Sequence, residues 1–98
     1  MAISIFRYNR RRRHPAYIFK NKNGMYYYIS LTHAPSWRNY INHKLYKNPN
    51  PNDPENSYVI QRVFSDSYRS FGRTYRNWRF DRNDKRMIKR IKKSMAYR

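Results

Sequence analysis

The sequence predicts a small, mainly β domain of antiparallel strands, followed by one basic C-terminal helix. Segments rich in tyrosine and β-branched residues recur through the first two thirds of the chain, separated by Asn, Gly and Pro. The last segment instead repeats its apolar residues at helical spacing. A chain of 98 residues is long enough for one core and too short for two. We therefore expect a basic arm over residues 1–13 and a single β-rich, RNA-binding domain over residues 14–98.

The N-terminal arm is predicted from its charge. After a short start containing Ile3 and Ile5, the segment ends in four adjacent arginines, residues 10–13. Adjacent like charges repel, so such a run is typical of a segment that becomes ordered on a polyanion.

The next two strands are predicted to form a hairpin. Residues 15–19 and 26–31 have strand composition, and an Asn-Gly pair stands between them at 23–24. Asn and Gly adopt the positive φ angles that a tight hairpin turn requires. Alternation along the second strand would bury one of its faces and present Tyr26 and Tyr28 on the other.

The middle of the chain is less sharply patterned. Within residues 33–46 the apolar spacing allows a helix, whereas residues 43–46 are equally consistent with a short strand. Residues 48–54 alternate Asn and Pro, which predicts an exposed loop. Residues 57–64 return to strand composition, and residues 65–80, dense in Arg and aromatics, are expected to be an irregular loop.

A helix is predicted over residues 81–96. Asp81 is placed to cap its N-terminus, and Asp84 would interact favourably with the helix dipole in the first turn. Lysines and arginines cover most of the helix and leave one apolar stripe, which we expect to pack on the sheet. The stripe consists of Met87, Ile88, Ile91 and Met95.

Charge is the strongest indication of function. Lys and Arg number 23 against 5 Asp and Glu, a net charge of +18, and 18% of the residues are aromatic. Such a field attracts polyanions, and aromatic rings offer surfaces on which bases stack, so nucleic acid and specifically RNA is the expected partner. The candidate nucleic-acid-binding residues are Arg10, Arg11, Arg12, Tyr26, Tyr28, Arg73, Arg76, Trp78, Lys85, Lys89, Arg90, Lys92 and Lys93.

Several function classes are disfavoured by composition. The chain has no cysteine, and its three histidines stand at no familiar ligand spacing, so no metal or other cofactor is expected. Two glycines cannot supply a phosphate-binding loop, which excludes a nucleoside triphosphatase. No apolar run approaches the length of a membrane span, so we expect a cytoplasmic protein. Binding to anionic membranes is a weaker possibility because the apolar stripe of the helix is narrow, and no membrane partner is expected. Metal-free RNA cleavage, which needs only proton-transfer groups and cations, remains open.

Three segments carry a resemblance to a known family. Residues 13–19 (Arg-His-Pro-Ala-Tyr-Ile-Phe), 28–32 (Tyr-Ile-Ser-Leu-Thr) and 57–60 (Ser-Tyr-Val-Ile), followed by a basic helix, resemble the MazF/PemK toxin family and its ToxN relatives. The resemblance implies a small antiparallel SH3-like barrel that cuts single-stranded RNA without a metal ion.

The resemblance also implies a catalytic site. In that family an Arg-Pro opens a strand and a Thr or Ser closes a later one, and both surround the scissile phosphate. Pro15 matches the proline, preceded here by His14 and then Arg13, and Thr32 matches the hydroxyl. The implied catalytic residues are Arg13 and Thr32, which would steady the phosphate, and His14 or His33, which would move the proton.

A non-catalytic function is the alternative. A basic protein of a phage or mobile element could coat nucleic acid, inhibit a nuclease or guide-RNA complex, or belong to a ribonucleoprotein. In that case the arginine run and the helix matter and Thr32 does not. A toxin would additionally need an antitoxin, either an acidic protein or an RNA, and an acidic protein target would also suit this charge.

Overall fold

The computed structural model describes residues 2–94 and contains eight strands and one α-helix. The strands are β1 Ala2–Asn9, β2 His14–Lys22, β3 Met25–Thr32, β4 Ser36–Trp37, β5 Tyr40–Ile41, β6 His43–Lys44, β7 Tyr58–Ser67 and β8 Phe71–Thr74, and the helix is α1 Lys85–Ser94. Six strands form one sheet in the order β6-β7-β3-β2-β1-β8, with every pairing antiparallel, and β4 and β5 form a separate hairpin.

The predicted fold class, mainly β with a C-terminal helix, is confirmed. Among the described strands the hydrogen-bonded ladder runs from β6 to β8 without joining these two edges. The SH3-like barrel closure that the resemblance implies therefore stays a prediction. No helix of the described residues has the length and apolar character needed to cross a bilayer.

The hairpin of β2 and β3 is confirmed together with its turn. Asn23 and Gly24 have φ angles of 52° and 78°, the left-handed pair that a two-residue hairpin turn of this hand requires. The pairing brings Ala16 opposite Ser30 and Lys22 opposite Met25. The turn sets the register of the pairs next to it, as far as Lys20 opposite Tyr27, and an irregularity between Ile18 and Lys20 then shifts the register by one residue.

The predicted N-terminal arm is wrong for the described residues 2–13. Residues 2–9 form β1, which lies inside the sheet between β2 and β8, and Phe6 is 5% exposed in the core. The arginines at 10–13 form the turn that leads into β2. The segment is ordered by the protein itself because it supplies apolar side chains to the sheet, so residues 2–13 belong to the domain.

The middle segments differ from two further expectations. The helical option for residues 33–46 is wrong, because β4, β5 and the short strand β6 occupy this stretch. Residues 65–80 are more regular than predicted: β7 continues to Ser67, a 3₁₀ turn covers Tyr68–Ser70, and β8 follows. The Pro-Asn segment at 48–54 is a loop as predicted.

Both faces of the sheet are buried. On one face, here called the helix face, Tyr17, Ile29 and Val63 pack with Ile88 and Ile91 of α1. On the other, here called the opposite face, the core residues are Ala16, Ile18, Tyr28, Ile60, Phe64 and Phe71. Alternating side chains of the same strands feed the two clusters, as the strand period dictates.

The helix begins later than predicted. Asp84 is the last residue before α1, since its carbonyl accepts the amide of Ile88. Asp81 instead accepts hydrogen bonds from the backbone and side chain of Asn83, in the turn before the helix. The predicted stripe does pack on the sheet through Ile88 and Ile91, whereas Met95, like the end of the predicted helix, lies outside the described residues.

Candidate nucleic-acid interface

A large groove opens on the helix face. It has a volume of about 1290 Å³ and lies between β1 and β2, the segment at 74–80, and α1. Its apolar lining includes Phe6, Tyr17, Phe19, Tyr75, Trp78 and Phe80. Its basic lining consists of Lys20, Arg76, Arg79, Lys85, Lys89, Lys92 and Lys93. No Asp or Glu of the described residues lines it, so the groove combines ring surface with uncompensated positive charge.

Aromatic pairs give the groove a fixed wall. The rings of Tyr75 and Trp78 stack with their centroids 4.2 Å apart and their planes 15° from parallel, and both side chains are half-buried. Trp78 also packs on Phe6, 5.9 Å between centroids. The ammonium of Lys92 lies 5.6 Å from the ring centre of Phe19. These packed rings are held in place before any ligand binds.

A small pocket lies beside the groove. It has a volume of about 30 Å³, and its lining includes Pro15, Thr32, His33 and Asp53. Trp78 lines this pocket and also lines the groove. Trp78 therefore lies between the groove and the pocket.

His33 is held by a loop carboxylate. Its Nε2 is 2.9 Å from Asp53 Oδ2 and 3.6 Å from Glu55 Oε2. The backbone amide of Glu55 and the imidazole of His33 both lower the pKa of Asp53, which keeps it ionised. A carboxylate that binds one ring nitrogen holds the imidazole in a fixed orientation.

The same three side chains could also hold a cation. One ligand atom each from His33, Asp53 and Glu55 lie within 4.8 Å of one another, and all three residues are at least partly exposed. Imidazole with carboxylates suits a divalent transition metal such as Zn²⁺ or Mn²⁺. The sequence pattern predicted no such group, because the loop brings the carboxylates to His33 only in the folded chain.

His14 and Thr32 stand at the same end of the hairpin. His14 opens β2 and Thr32 ends β3, two residues beyond the pairing of Ala16 with Ser30. Burial lowers the pKa of His14, and its electrostatic interactions with His33 and Arg12 lower it further. At neutral pH the imidazole of His14 is therefore uncharged and able to accept a proton.

The remaining predicted catalytic groups differ in setting. The hydroxyl oxygen of Thr32, a residue only 9% exposed, accepts the amide of Ala34 at 3.1 Å. Arg13 lies in the adjacent turn with a φ of 62°, and its side chain is exposed. The structure thus brings His14, Thr32 and His33 to one end of the sheet, with Arg13 next to His14 in the chain.

The arginine turn is built over a buried carboxylate. Asp66, 4% exposed, accepts hydrogen bonds from the hydroxyl of Tyr28, from Asn9 Nδ2 at 3.1 Å and from Arg11 at 2.9 Å. Arg12 Nε donates to the hydroxyl oxygen of Tyr28 at 2.9 Å. Arg11 and Arg12 therefore bond the turn to this buried pair of Tyr28 and Asp66.

Tyr28 is wrong as a predicted nucleic-acid-binding residue. Its ring is fully buried, and burial together with Asp66 raises the pKa of its hydroxyl. Tyr26 is half-buried against Phe71, 5.2 Å between ring centroids, on the opposite face. Neither tyrosine shares a face with the groove.

Several of the other predicted residues lie together. The six that line the groove are Arg76, Trp78, Lys85, Lys89, Lys92 and Lys93. Arg73 lies over the ring of Tyr75 at 5.9 Å, and Arg90 is exposed on α1 outside the groove lining. Arg10, in the turn, donates to the carbonyl of Arg69 at 2.6 Å.

Sequence reasoning missed part of the site. Lys20, Tyr75 and Arg79 line the groove, and Asp53 holds His33. The sequence signal that could have indicated the stacking of Tyr75 on Trp78 is that the two aromatic residues stand close together in an arginine-rich segment. Nothing local in the sequence indicates that the Pro-Asn loop returns Asp53 to His33.

Comparisons with known proteins return nothing that identifies this chain. No protein-family model matches it, and neither a curated protein nor a solved structure matches it. The likeness to the MazF/PemK family therefore stays a resemblance of short segments.

Proposed function

We propose that the protein binds single-stranded RNA in the groove and cleaves it at the adjoining pocket without a metal ion. The observation that carries this proposal is the position of Trp78, which lines both the basic, aromatic groove and the pocket that contains Thr32 and His33. Binding surface and proton-transfer groups thus adjoin.

The groove suits an unpaired strand. Phosphates of such a strand can follow the basic rim, while its unstacked bases pack on exposed ring surface such as that of Tyr75 and Trp78. A duplex presents phosphates but keeps its bases stacked inside, so it would use the charge of the groove and not its rings.

Cleavage would proceed by attack of the ribose 2′-hydroxyl. Neutral His14 takes the proton from this hydroxyl, and the 2′-oxygen attacks phosphorus. The 5′-oxygen leaves with a proton from His33, and a 2′,3′-cyclic phosphate remains on the upstream fragment. Thr32 and Arg13 would stabilise the negative charge on the phosphorane oxygens, and Asp53 positions His33.

We place the protein in the cytoplasm, where single-stranded RNA is its substrate. A toxin of this kind needs an antitoxin, and an acidic protein or an RNA would suit the groove. The resemblance of residues 13–19 and 28–32 to the MazF/PemK family supports this context.

A non-catalytic function is the second candidate. The groove by itself contains the rings and basic side chains that RNA binding needs, and this observation favours the second candidate. Thr32, in contrast, is 9% exposed and its hydroxyl oxygen accepts the amide of Ala34. A basic protein of a phage or mobile element that only occupies RNA, or inhibits a nuclease, would need the groove alone.

Incubation of labelled single-stranded RNA with the protein in EDTA separates these candidates. The variants are Thr32→Ala, His14→Asn and His33→Asn, with His43→Asn on β6 as the matched histidine control. Cleavage by wild type and the control but not by the three variants supports the ribonuclease. Binding without cleavage in all five proteins supports the second candidate, and cleavage that needs added Mn²⁺ or Zn²⁺ contradicts the metal-free mechanism.

A further inference from the structure

The hairpin of β4 and β5 carries exposed apolar side chains. Tyr40 is 67% exposed and Ile41 is 81% exposed, next to the half-buried Trp37. Trp37 stacks on Tyr40 with centroids 6.4 Å apart and meets the edge of Phe64 at 5.7 Å. A line of rings therefore runs from the core on the opposite face out to solvent.

Exposed arginines surround this line of rings. The guanidinium of Arg38 lies 4.8 Å from the ring centre of Trp37. Two others cover Phe64, Arg12 at 3.9 Å and Arg62 at 5.5 Å. A guanidinium group beside an aromatic ring gains a cation–π attraction and can still donate N–H groups to a phosphate.

The acidic residues lie elsewhere or are already bonded. Asp53 and Glu55 contact His33, and Asp84 accepts the amides of Tyr46 and Lys47 at the start of the helix. Asp81 is bonded within the turn before the helix.

Asp66, which is near Arg12, is buried and holds Arg11. In the described chain the exposed surface around the hairpin is thus basic and aromatic.

This surface does not belong to the groove. Phe64 and Trp37 pack with the opposite-face cluster, whereas the groove is lined by Tyr17 and Phe19 of the helix-face cluster. The two surfaces therefore lie on opposite faces of the sheet.

We propose that the hairpin surface, formed by Arg12, Trp37, Arg38, Tyr40 and Arg62, is a second binding site for single-stranded nucleic acid. Its charge complements phosphates, and its exposed rings provide stacking surface for unpaired bases. The proposal goes beyond cleavage at the pocket and does not depend on it. One molecule could then hold two strands, or two distant segments of one strand, on opposite sides of its sheet.

Native mass spectrometry with an oligonucleotide of about eight nucleotides tests this proposal, a length within the ~4–16 nucleotides that small single-strand-binding domains cover. The expected wild-type complex contains two oligonucleotides per protein. The double variant Arg38→Ala/Tyr40→Ala should contain one. Tyr46→Ala, which removes a tyrosine that is 75% exposed near the start of the helix, should still contain two.

A groove variant, Trp78→Ala/Lys89→Ala, separates this proposal from the proposed function. It should also retain one oligonucleotide, and that one should be lost when the hairpin substitutions are added. A wild-type complex with one oligonucleotide that only the groove variant releases overturns the hairpin site. Binding that only the hairpin variant reduces overturns the groove and leaves the hairpin site standing. Parallel series with RNA and DNA of one sequence show which sugar the surface accepts.

Discussion

At the scale of single residues, Asp66 explains why four adjacent arginines can be ordered in a protein of net charge +18. Its carboxylate is buried beneath the turn and accepts bonds from Asn9, Arg11 and Tyr28. A buried carboxylate is tolerated only when paired and hydrogen-bonded. The arginine run is therefore both a structural element and an exposed cationic edge.

The hydroxyl of Tyr28 is expected to stabilise the fold. Tyr28→Phe leaves the buried carboxylate of Asp66 with one donor fewer and deprives Arg12 of its acceptor. We expect the free energy of unfolding in urea to fall by about 1–3 kcal/mol. Tyr40→Phe, which alters a side chain that is 67% exposed, should change it by less than ~0.5 kcal/mol. Equal stability of the two variants would mean that the Asp66 network contributes little.

His14 should make stability depend on pH. Its pKa is lowered in the folded protein by burial, by His33 and by Arg12, so the unfolded chain takes up the proton first as the pH falls. The contribution is fully present above about 6.5, the pKa of an unperturbed histidine, and is lost as the pH falls from there through the lowered pKa.

The measurement is the free energy of unfolding of wild type and His14→Asn from about pH 7.5 to 5. Wild type should lose more stability than the variant across this window. Asp53 and Asp81, whose pKa values are lowered, titrate below the window and do not contribute. Parallel curves for the two proteins would contradict a lowered pKa at His14.

At the scale of elements, the central hairpin depends on its turn. Gly24 has a φ of 78°, and a Cβ there would meet only the ring of Tyr68 at 3.8 Å, an ordinary contact. Gly24→Ala should therefore cost about 1–2 kcal/mol of stability through backbone strain alone.

Gly72 is the matched control for that substitution. A Cβ at Gly72 would likewise meet a side chain, that of Arg10, at 3.8 Å, but without a positive φ. Gly72→Ala should leave thermal stability unchanged or raise it slightly, since alanine restricts the unfolded chain. If both substitutions lower stability by the same amount, the loss at Gly24 comes from steric crowding by the added methyl group and not from its positive φ angle.

The elements that the sequence predicted well are those whose causes are local. The Asn-Gly turn and the stripe at Ile88 and Ile91 each depend on residues close together in the chain, and both are confirmed. The arm was wrong because its partner, Asp66, lies 57 residues from Asn9 in the chain. The helix start was misplaced because the carboxylate of Asp84 accepts the amides of the distant Tyr46 and Lys47.

The candidate site divides in the same way. Composition predicted a protein rich in exposed basic and aromatic side chains, a character that the groove has, because charge and ring content need no knowledge of contacts. It could not show which rings remain available, so Tyr28 was assigned a surface role although it is core. His33 and Asp53 are 20 residues apart in the chain and are brought together by an irregular loop. The spacing of apolar residues does not predict contacts made through such a loop.

At the scale of the whole molecule, charge should oppose folding and favour binding. The radius of gyration is 12.6 Å. The screening length of water is about 30 Å at 0.01 M salt and about 8 Å at 0.15 M, so at low salt the basic residues repel across the entire molecule. We therefore expect the midpoint of thermal unfolding of the free protein to rise between these two concentrations of NaCl. A midpoint that stays constant or falls would show that self-repulsion is unimportant in the folded chain.

RNA binding should respond to salt in the opposite direction. If six to ten phosphates contact basic residues, affinity for single-stranded RNA falls steeply, roughly 10³- to 10⁵-fold between about 50 and 200 mM salt. A shallow dependence would contradict recognition through phosphates. Charged groove residues should determine how steeply affinity falls with salt, whereas uncharged groove residues should change the affinity by the same factor at every salt concentration.

Lys89 and Trp78 provide that division, because both line the groove and only Lys89 is charged. Lys89→Ala should reduce the slope of log Kd against log salt by about 0.7, the share of one phosphate contact on a single strand. Trp78→Ala should weaken binding about 5- to 150-fold, as the loss of about 1–3 kcal/mol of base stacking implies, and leave the slope unchanged. Binding titrations at four salt concentrations would separate the two effects. A Trp78→Ala slope that falls with its affinity would mean that the ring only positions neighbouring cations, and stacking on Trp78 would then have to be abandoned.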